Sequence, residues 1–533
     1  MTGPLPARVC SRHLTLLGVE PGGLELTISG SECGELHAQA LSGLMAVNGR
    51  AWGGPRPLDL EVCSVAAGIL GATGVLAALV ANRRGAAVRR VETSTLDAAL
   101  CFLRHHLAIA TCGAALPARL TAPGHGAAFV SEDGHPVELD FLDQRSWAGF
   151  WLELGAERDD VGRGWLPFVF RYNFATCALP AGLERVGSSH SLAGLVEAAA
   201  RHSAGLRVAR AGPEPGWHDL PPWRLEGLLP SPSPLAGEVG RPRPGGGSLR
   251  LTSEASVRPG AAPSSGPPPV AGATSSPARG EGPSFSLPLD GIRVVEITSR
   301  VQGPLAGRLL QLLGATVTRV EPPGGDPARA VPPAAGGTGA TFVAYNDGKR
   351  AVEIDYKTPA GRGQLDELLA GADVFLYNWP HGRAEKLGLE PAALARRSPS
   401  LVCCHATGWP GGSGEAGAMG TDTLVQAHLG LATGEPPHTS QVTVVDVLGG
   451  LVACEGVLAG LLRREVLGRG WAIETSLASA AMTVQPHRGV DGAAAGDPTA
   501  DLGALPSHPL VSTHLTPGPG GCWLPGSPWR FAP

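Results

Sequence analysis

The stretch LDGIRVVEITSRVQGPLAGRLLQLLGATVTRVEPP, residues 289–323, decides the fold class. Ile292–Ile297 is a short apolar run of strand type. Gly303-Pro304 then opens a helical run, LAGRLLQLLG, which stops at Gly314, and Val317–Val320 is a second strand. Strand, helix and strand follow within about thirty residues, the length of a right-handed βαβ crossover. Outward from it the alternation continues. Ala351–Asp355 reads as a strand, Gly361–Leu369 as a helix, and Val374–Tyr377 and Leu401–Cys404 as further strands. A parallel α/β sheet is the expectation.

The chain has 533 residues, room for two to four domains, and 43% of them are hydrophobic, enough for a sizeable core. Basic and acidic residues number 42 and 47, for a net charge of −5. That balance excludes a global polycation, so neither nucleic acid nor an anionic membrane surface is an expected partner. The ten cysteines form no CxxC pair and predict reduced thiols in a cytoplasmic protein, with no metal site. The N-terminus lacks the apolar run of a signal peptide. Val65–Ala81, the longest apolar stretch, is Gly- and Ala-rich and runs into Asn82-Arg83-Arg84, which fits a buried helix of a soluble protein.

Residues 229–285 are dense in Pro, Gly and Ser and predict a disordered linker. It separates a first region, 1–228, from a second, 286–490, and 491–533 reads as an irregular tail. The two regions share a repeat: 62–100 (VCSVAAGILGATGVLAALVANRRGAAVRRVETSTLDAAL) aligns without a gap on 444–482 (VVDVLGGLVACEGVLAGLLRREVLGRGWAIETSLASAAM). Upstream, QALSGLMAVNG (39–49) echoes QAHLGLATG (426–434). In the first region Pro136–Leu142 reads as a strand, with helices over Arg145–Leu154 and Ser191–Arg201.

Two carboxylates stand in small-residue surroundings, Asp422 in GTDTLVQA and Asp446 in VTVVDVLGGL. An aspartate inside an apolar run needs hydrogen bonds or a chemical task, so Asp446 is either reactive or the N-cap of a helix beginning at Val447. His105-His106 read as helix-surface imidazoles, His405 and His438 as isolated, and Trp147 and Trp151 as core aromatics. Arg83-Arg84 and Arg89-Arg90 read as a solvated helix end.

Five blocks in order over 289–486 resemble the family III CoA-transferases, the group of formyl-CoA transferase, carnitine CoA-transferase and the bile-acid-inducible proteins. They are the opening stretch, YNDGKRAVEIDYKTPAGR, ADVFLYNWPHGRAEKLGL, GTDTLVQAHLGLATG and VVDVLGG. The resemblance implies a Rossmann-like parallel sheet with helices plus a smaller α+β domain, and transfer of CoA from an acyl-CoA to a carboxylic acid. CoA is then the carried group and no further cofactor is needed; a homodimer is implied as well. Asp446 takes the nucleophile's place, passing through an aspartyl anhydride and an aspartyl-CoA thioester, and Asp422 is the second acid. Gly449-Gly450 would let thioester atoms approach the backbone. Gln302 and Gly303 match a loop touching the nucleotide end of CoA. Ile354, Asp355, Tyr356 and Lys357, then Asn378, Trp379 and Lys386, match further CoA contacts.

Departures accompany the match. Pro322 and Pro380 replace expected residues, and Asp422 and Asp446 are 24 positions apart, five fewer than the family pattern. Thr421 stands where racemases of the same fold carry a histidine, which disfavours racemisation. In the first region Glu35 aligns with Asp422, and Ser64, unable to form an anhydride, aligns with Asp446. That copy reads as catalytically silent and Glu35 as a surface acid. GHPVELDFLD and SWAGFWLELG resemble the family's small domain, so the first region is expected to supply what the second lacks. The rival readings are a racemase and a non-catalytic CoA-binding protein.

Overall fold

The computed structural model describes residues 3–210, 212–213, 216–217, 220–228, 250–252, 287–413, 415, 417–490 and 498–533. The expected linker lies outside the described residues, apart from the backbone of 250–252. The first half begins with helix α1 (Leu5–Leu17), strand β1 (Glu25–Ser29), helix α2 (Glu35–Ser42), helix α3 (Val62–Arg83), strand β2 (Arg90–Ser94) and helix α4 (Thr95–Thr111). Strands β3 (Ala128–Val130) and β4 (Pro136–Asp140), helices α5 (Gln144–Glu153), α6 (Arg158–Val169) and α7 (Leu192–Arg201), and strand β5 (Gly205–Val208) follow. They enclose a separate aromatic core in which Trp147 and Trp151 are buried, as expected of core aromatics, together with Phe150. Strands β6 (Trp223–Gly227) and β7 (Arg250–Thr252) complete this half.

The second half runs β8 (Arg293–Ile297), α8 (Gln302–Leu312), β9 (Thr316–Glu321), α9 (Ala340–Asn346), β10 (Arg350–Glu353), α10 (Pro359–Ala370) and β11 (Val374–Tyr377). Then come β12 (Val402–Thr407), α11 (Asp422–His428), α12 (Val444–Leu467), β13 (Trp471–Ser476) and α13 (Leu477–Val484). Its seven-stranded mixed sheet has the order β10-β9-β8-β11-β12-β13-β6. The first six strands are mutually parallel, and β6 joins the edge antiparallel to β13. β11 is buried along its whole length, VFLY, because helices cover both faces of a parallel sheet.

Chain order reverses between β8, followed outward by β9 and β10, and β11, followed by β12 and β13. The loops leaving β8 and β11 therefore diverge at this crevice, and Ser299 and Asn378 tie them together. The Ser299 N–H donates to Asn378 Oδ1 at 3.0 Å, and Asn378 Nδ2 donates to the Ser299 carbonyl at 2.8 Å.

Among the described residues, helices α3 and α12 are the two long enough and apolar enough to cross a membrane, and 94% of the most apolar stretch of each is buried inside the protein. They share one core with α1, α8 and β13. Glycines allow the close approach: a Cβ at Gly450 would fall 2.9 Å from Leu305, and one at Gly460 would fall 2.8 Å from Ile473. Gly449 and Gly450 therefore serve helix packing against Gln302, Leu305 and Leu477, not an approach by thioester atoms.

The C-terminal segment also departs from expectation. Among its described residues, β14 (Leu515–Pro517) and β15 (Trp523–Pro525) pair with each other, and β16 (Arg530–Ala532) adds antiparallel to β2 in a second sheet of order β16-β2-β1-β7. Trp529 is buried, and its Nε1 donates to the Leu70 carbonyl at 2.8 Å. A Gly/Pro-rich segment read alone shows no strand periodicity; here an open sheet edge supplies the pairing. The halves thus exchange strands, β6 in one direction and β16 in the other.

Candidate active site

Asp446 lies in the first turn of α12, which starts at Val444 and not at Val447, so the residue is inside the helix and not its N-cap. Its side chain is partly open to solvent and accepts no hydrogen bond from any described residue. Burial lifts its pKa to about 6; the Arg300 guanidinium pulls it down and Asp140 pushes it up. Arg300 sits in the left-handed region, φ +67°, in the loop after β8, and no sequence motif marked it. Asp140 ends β4 of the first half. It is buried in an ion pair with Arg171 at 2.5 Å and also accepts from the hydroxyl of Tyr172 at 3.2 Å and that of Thr421.

Asp422 opens α11, fully buried. Its Oδ2 accepts the backbone N–H of Asp446 at 2.7 Å, and Gln426 Nε2 donates to its other oxygen. Burial and the Asp446 charge push its carboxyl well above the usual aspartate range. Gln426 also bonds Ser440 in both directions, at 3.0 and 3.1 Å, and so closes the loop that leads into α12.

The first half repeats this arrangement. Glu35 opens α2 and is 5% exposed, which corrects its reading as a surface acid. Its two oxygens accept the N–H groups of Cys63 and Ser64 at 2.9 and 2.8 Å, and Gln39 Nε2 donates to it at 2.9 Å while bonding Leu58 and Leu60. In each half an acid followed four residues later by glutamine satisfies the free N–H groups of a long buried helix. The shortened 422–446 interval closes with the same bonds as the 29-residue interval from Glu35 to Ser64. Glu35→Ala is expected to cost about 2 kcal/mol of stability by leaving those groups buried and unpaired. Urea unfolding would measure it, and a change below about 0.5 kcal/mol would reject the capping role.

His105 and His106 are likewise buried, not surface groups. His105 bonds Tyr345 Oη at 2.7 Å and the Tyr172 carbonyl at 3.0 Å, and burial pushes its pKa down to about 4. Tyr345 in turn feels the Asp446 charge, so α4 of the first half backs the site. His438 is not isolated either. With His125 it flanks Trp52, at ring separations of 4.6 and 3.9 Å, in a cleft whose wall includes Gln426.

The other candidate residues fall into two groups. Gln302 is buried under α12 with its Nε2 donating to the Thr407 carbonyl at 3.3 Å, and Gly303 packs on Thr298. Ile354 belongs to the core beside Leu365 and Leu369. These three residues serve packing. Asn378, Tyr356 and Trp379 come together beside the crevice: the two rings are 5.7 Å apart, and Arg383 donates to Tyr356 Oη at 3.3 Å. Asp355 is half-buried next to them, and Lys357 and Lys386 are exposed. Ser299 and Asn378 thus join the two loops, Trp379, next to Asn378 in the chain, lies together with Tyr356 and Arg383, and the charge of Arg300 reaches Asp446. Asp140, Tyr345 and Arg300 were invisible as site residues because only the packing of distant segments brings them to Asp446.

A family model described as CoA-transferase family III matches residues 30–162 and 289–510. The chain is 36% identical over 213 residues to a protein of Mycobacterium tuberculosis named "probable fatty acyl-CoA transferase", covering 38% of this chain and 53% of that one. It is 33% identical over 245 residues to the succinate–glutarate CoA-transferase of Agrobacterium fabrum, covering 44% and 61%. The crystal structure of the same Mycobacterium tuberculosis protein aligns at 37% identity with a TM-score of 0.35, covering 37% of this chain and 57% of that chain. The chain thus spans between half and two thirds of the length of these curated relatives.

Proposed function

Since this chain belongs to CoA-transferase family III, we propose that it moves CoA from an acyl-CoA thioester to a carboxylic acid, with Asp446 as nucleophile. The observation that carries this reading is the carboxylate itself: partly open, unbonded, and fixed at its backbone by Asp422. A carboxylate whose lone pairs are not occupied is available to attack. It attacks the thioester carbonyl; the C–S bond breaks, CoA leaves as thiolate, and an acyl–aspartyl anhydride remains. The thiolate then attacks the aspartyl carbonyl, releasing the first acid as carboxylate and leaving an aspartyl-CoA thioester. The acceptor carboxylate repeats both steps in reverse and frees Asp446.

The Arg300 guanidinium, whose charge already acts on Asp446, favours negative charge at the attacked carbonyl. Asp422 acts as a positioning residue, and its bond to the Asp446 N–H fixes where the nucleophile sits. The strand order, numbered within the second half as 3-2-1-4-5-6, supports a Rossmann-like reading, in which ligands bind where the order reverses. The nucleotide end of CoA accordingly lies along Arg300, Asn378, Tyr356, Trp379 and Arg383, with Lys357 and Lys386 at its phosphates. The matching acid–glutamine caps support reading the first half as a partial, silent copy of the second. Its small α+β unit, through Asp140 and Tyr172, completes the site. A homodimeric, cytoplasmic enzyme is the expected setting. Racemisation would require a base at position 421, where the threonine hydroxyl is already given to Asp140.

Mass spectrometry after incubation with a panel of acyl-CoA thioesters tests the reading. An acyl or CoA adduct on the peptide containing Asp446, removable by hydroxylamine, is expected. Transfer activity without any adduct at that residue would reject it.

A further inference from the structure

His405 on β12 and Glu474 on β13 are directly paired across parallel strands, so their side chains share one face of the sheet. His381, in the loop after β11, comes down onto that face. The ligand atoms of the three residues lie within 4.8 Å of one another, yet no hydrogen bond or ion pair joins any two of them. Each is instead held from behind. His381 Nε2 donates to the Trp409 carbonyl at 2.9 Å, His405 Nε2 donates to the Trp379 carbonyl at 2.7 Å, and Glu474 Oε1 accepts the Gly411 N–H at 2.8 Å.

A carbonyl can only accept, so both imidazoles carry a proton on Nε2, and Nδ1 is the nitrogen left for a ligand. Fixing a ring through one nitrogen while the other faces a gap is how metal-binding histidines are supported. Gly411 leaves the gap clear: a Cβ there would stand 2.9 Å from the second Glu474 oxygen and 3.4 Å from His381 Cε1.

We propose that His381, His405 and Glu474 bind one divalent transition-metal ion, of which zinc is the best match to two imidazoles and a carboxylate. Tetrahedral zinc with such ligands sets neighbouring donor atoms about 3.3 Å apart. Inward side-chain movement of about an ångström closes the present gap. The ion clamps the loop carrying Asn378 and Trp379, and the loop at 409–411, onto strands β12 and β13. It takes no part in the thioester chemistry, and the inference stands whether or not Asp446 is acylated.

Full-length protein stripped with a chelator and titrated calorimetrically with Zn²⁺ is expected to bind one ion per chain. Glu474→Gln and His381→Gln should each weaken that binding by at least about 100-fold, with circular dichroism unchanged in chelator. Substituted Co²⁺ should give d–d absorption without a thiolate charge-transfer band. No saturable binding by the wild type, undiminished binding in both variants, or a thiolate band each overturns the proposal. The wild-type titration and the cobalt spectrum decide it even if a variant fails to fold.

Discussion

If Asp446 is the nucleophile as proposed, replacing it with Asn is expected to lower CoA transfer by about 10⁴-fold or more in kcat, the scale of losing a covalent nucleophile. The amide has nearly the same volume and leaves the backbone N–H bond to Asp422 in place, so the fold and the crevice are retained. It cannot form an anhydride. CoA binding is expected to stay within about threefold of wild type, because the groups assigned to the nucleotide end are untouched. Transfer by the variant at more than about 1% of the wild-type rate would remove Asp446 from the mechanism.

The same carboxylate sets two pH dependences. On the proposed mechanism the free enzyme holds Asp446 ionised, so kcat/KM is expected to fall on the acid side with a midpoint near 6. For stability the sign is opposite. The folded pKa is raised above the unfolded value of about 4, so the folded state holds the extra proton in that interval. This contribution to stability is greatest below about 4 and is lost as pH rises through about 6. Asn at 446 carries no such slope, and the variant should be more stable than wild type at neutral pH. An inactive enzyme with raised stability distinguishes a functional carboxylate from a structural one, and urea midpoints at pH 5 and 7.5 would show it.

Glu296→Ala should destabilise the protein by about 3–5 kcal/mol, the cost of leaving buried charge without its partner. Glu296, at the end of β8, is fully buried. Its Oε1 meets Arg319 Nη1 at 2.8 Å and accepts the Thr298 hydroxyl at 2.7 Å, and its Oε2 lies 2.8 Å from Lys349 Nζ. The Lys349 contact is a buried ion pair. Burial draws the Lys349 ammonium down to about 8 while Glu296 pushes it up, and the alanine variant removes only the favourable part.

Lys349 also donates to the Pro304 carbonyl at 2.7 Å, so this cluster anchors both ends of the loop that carries Arg300. A fall in CoA affinity should accompany the loss of stability. Replacing Glu296, Arg319 and Lys349 together with apolar residues of similar volume should cost far less than the single change. Thermal and urea unfolding of the two variants measure the difference. A single-variant loss below about 1 kcal/mol would mean that water reaches the three charges.

Local pattern carried the alternation of strand and helix in 289–404, the two long small-residue helices, the acid preceding each of them, and the family. Those features are written in spacing and residue type over a few turns, and the backbone periods of 3.6 and 2 make them legible. Sequence could not say that Glu35 is a buried cap, since a lone acid reads the same in solvent and in a core until its N–H partners at 63 and 64 are placed. Nor could it pair β6 with β13 or β16 with β2, because an edge strand takes its partner from whichever sheet edge the rest of the chain leaves open.

The linear chain by itself marked Asp446 as an acid in an apolar run beside a long helix, though not the helix's first turn. Only tertiary packing decided what that aspartate experiences: Arg300 across the crevice, Asp140 from 306 positions upstream, and Tyr345 backed by His105. It also brought His381, His405 and Glu474 to one face of the sheet. Electrostatic environment depends on distance in space and on exclusion of water, and neither is a local property of sequence.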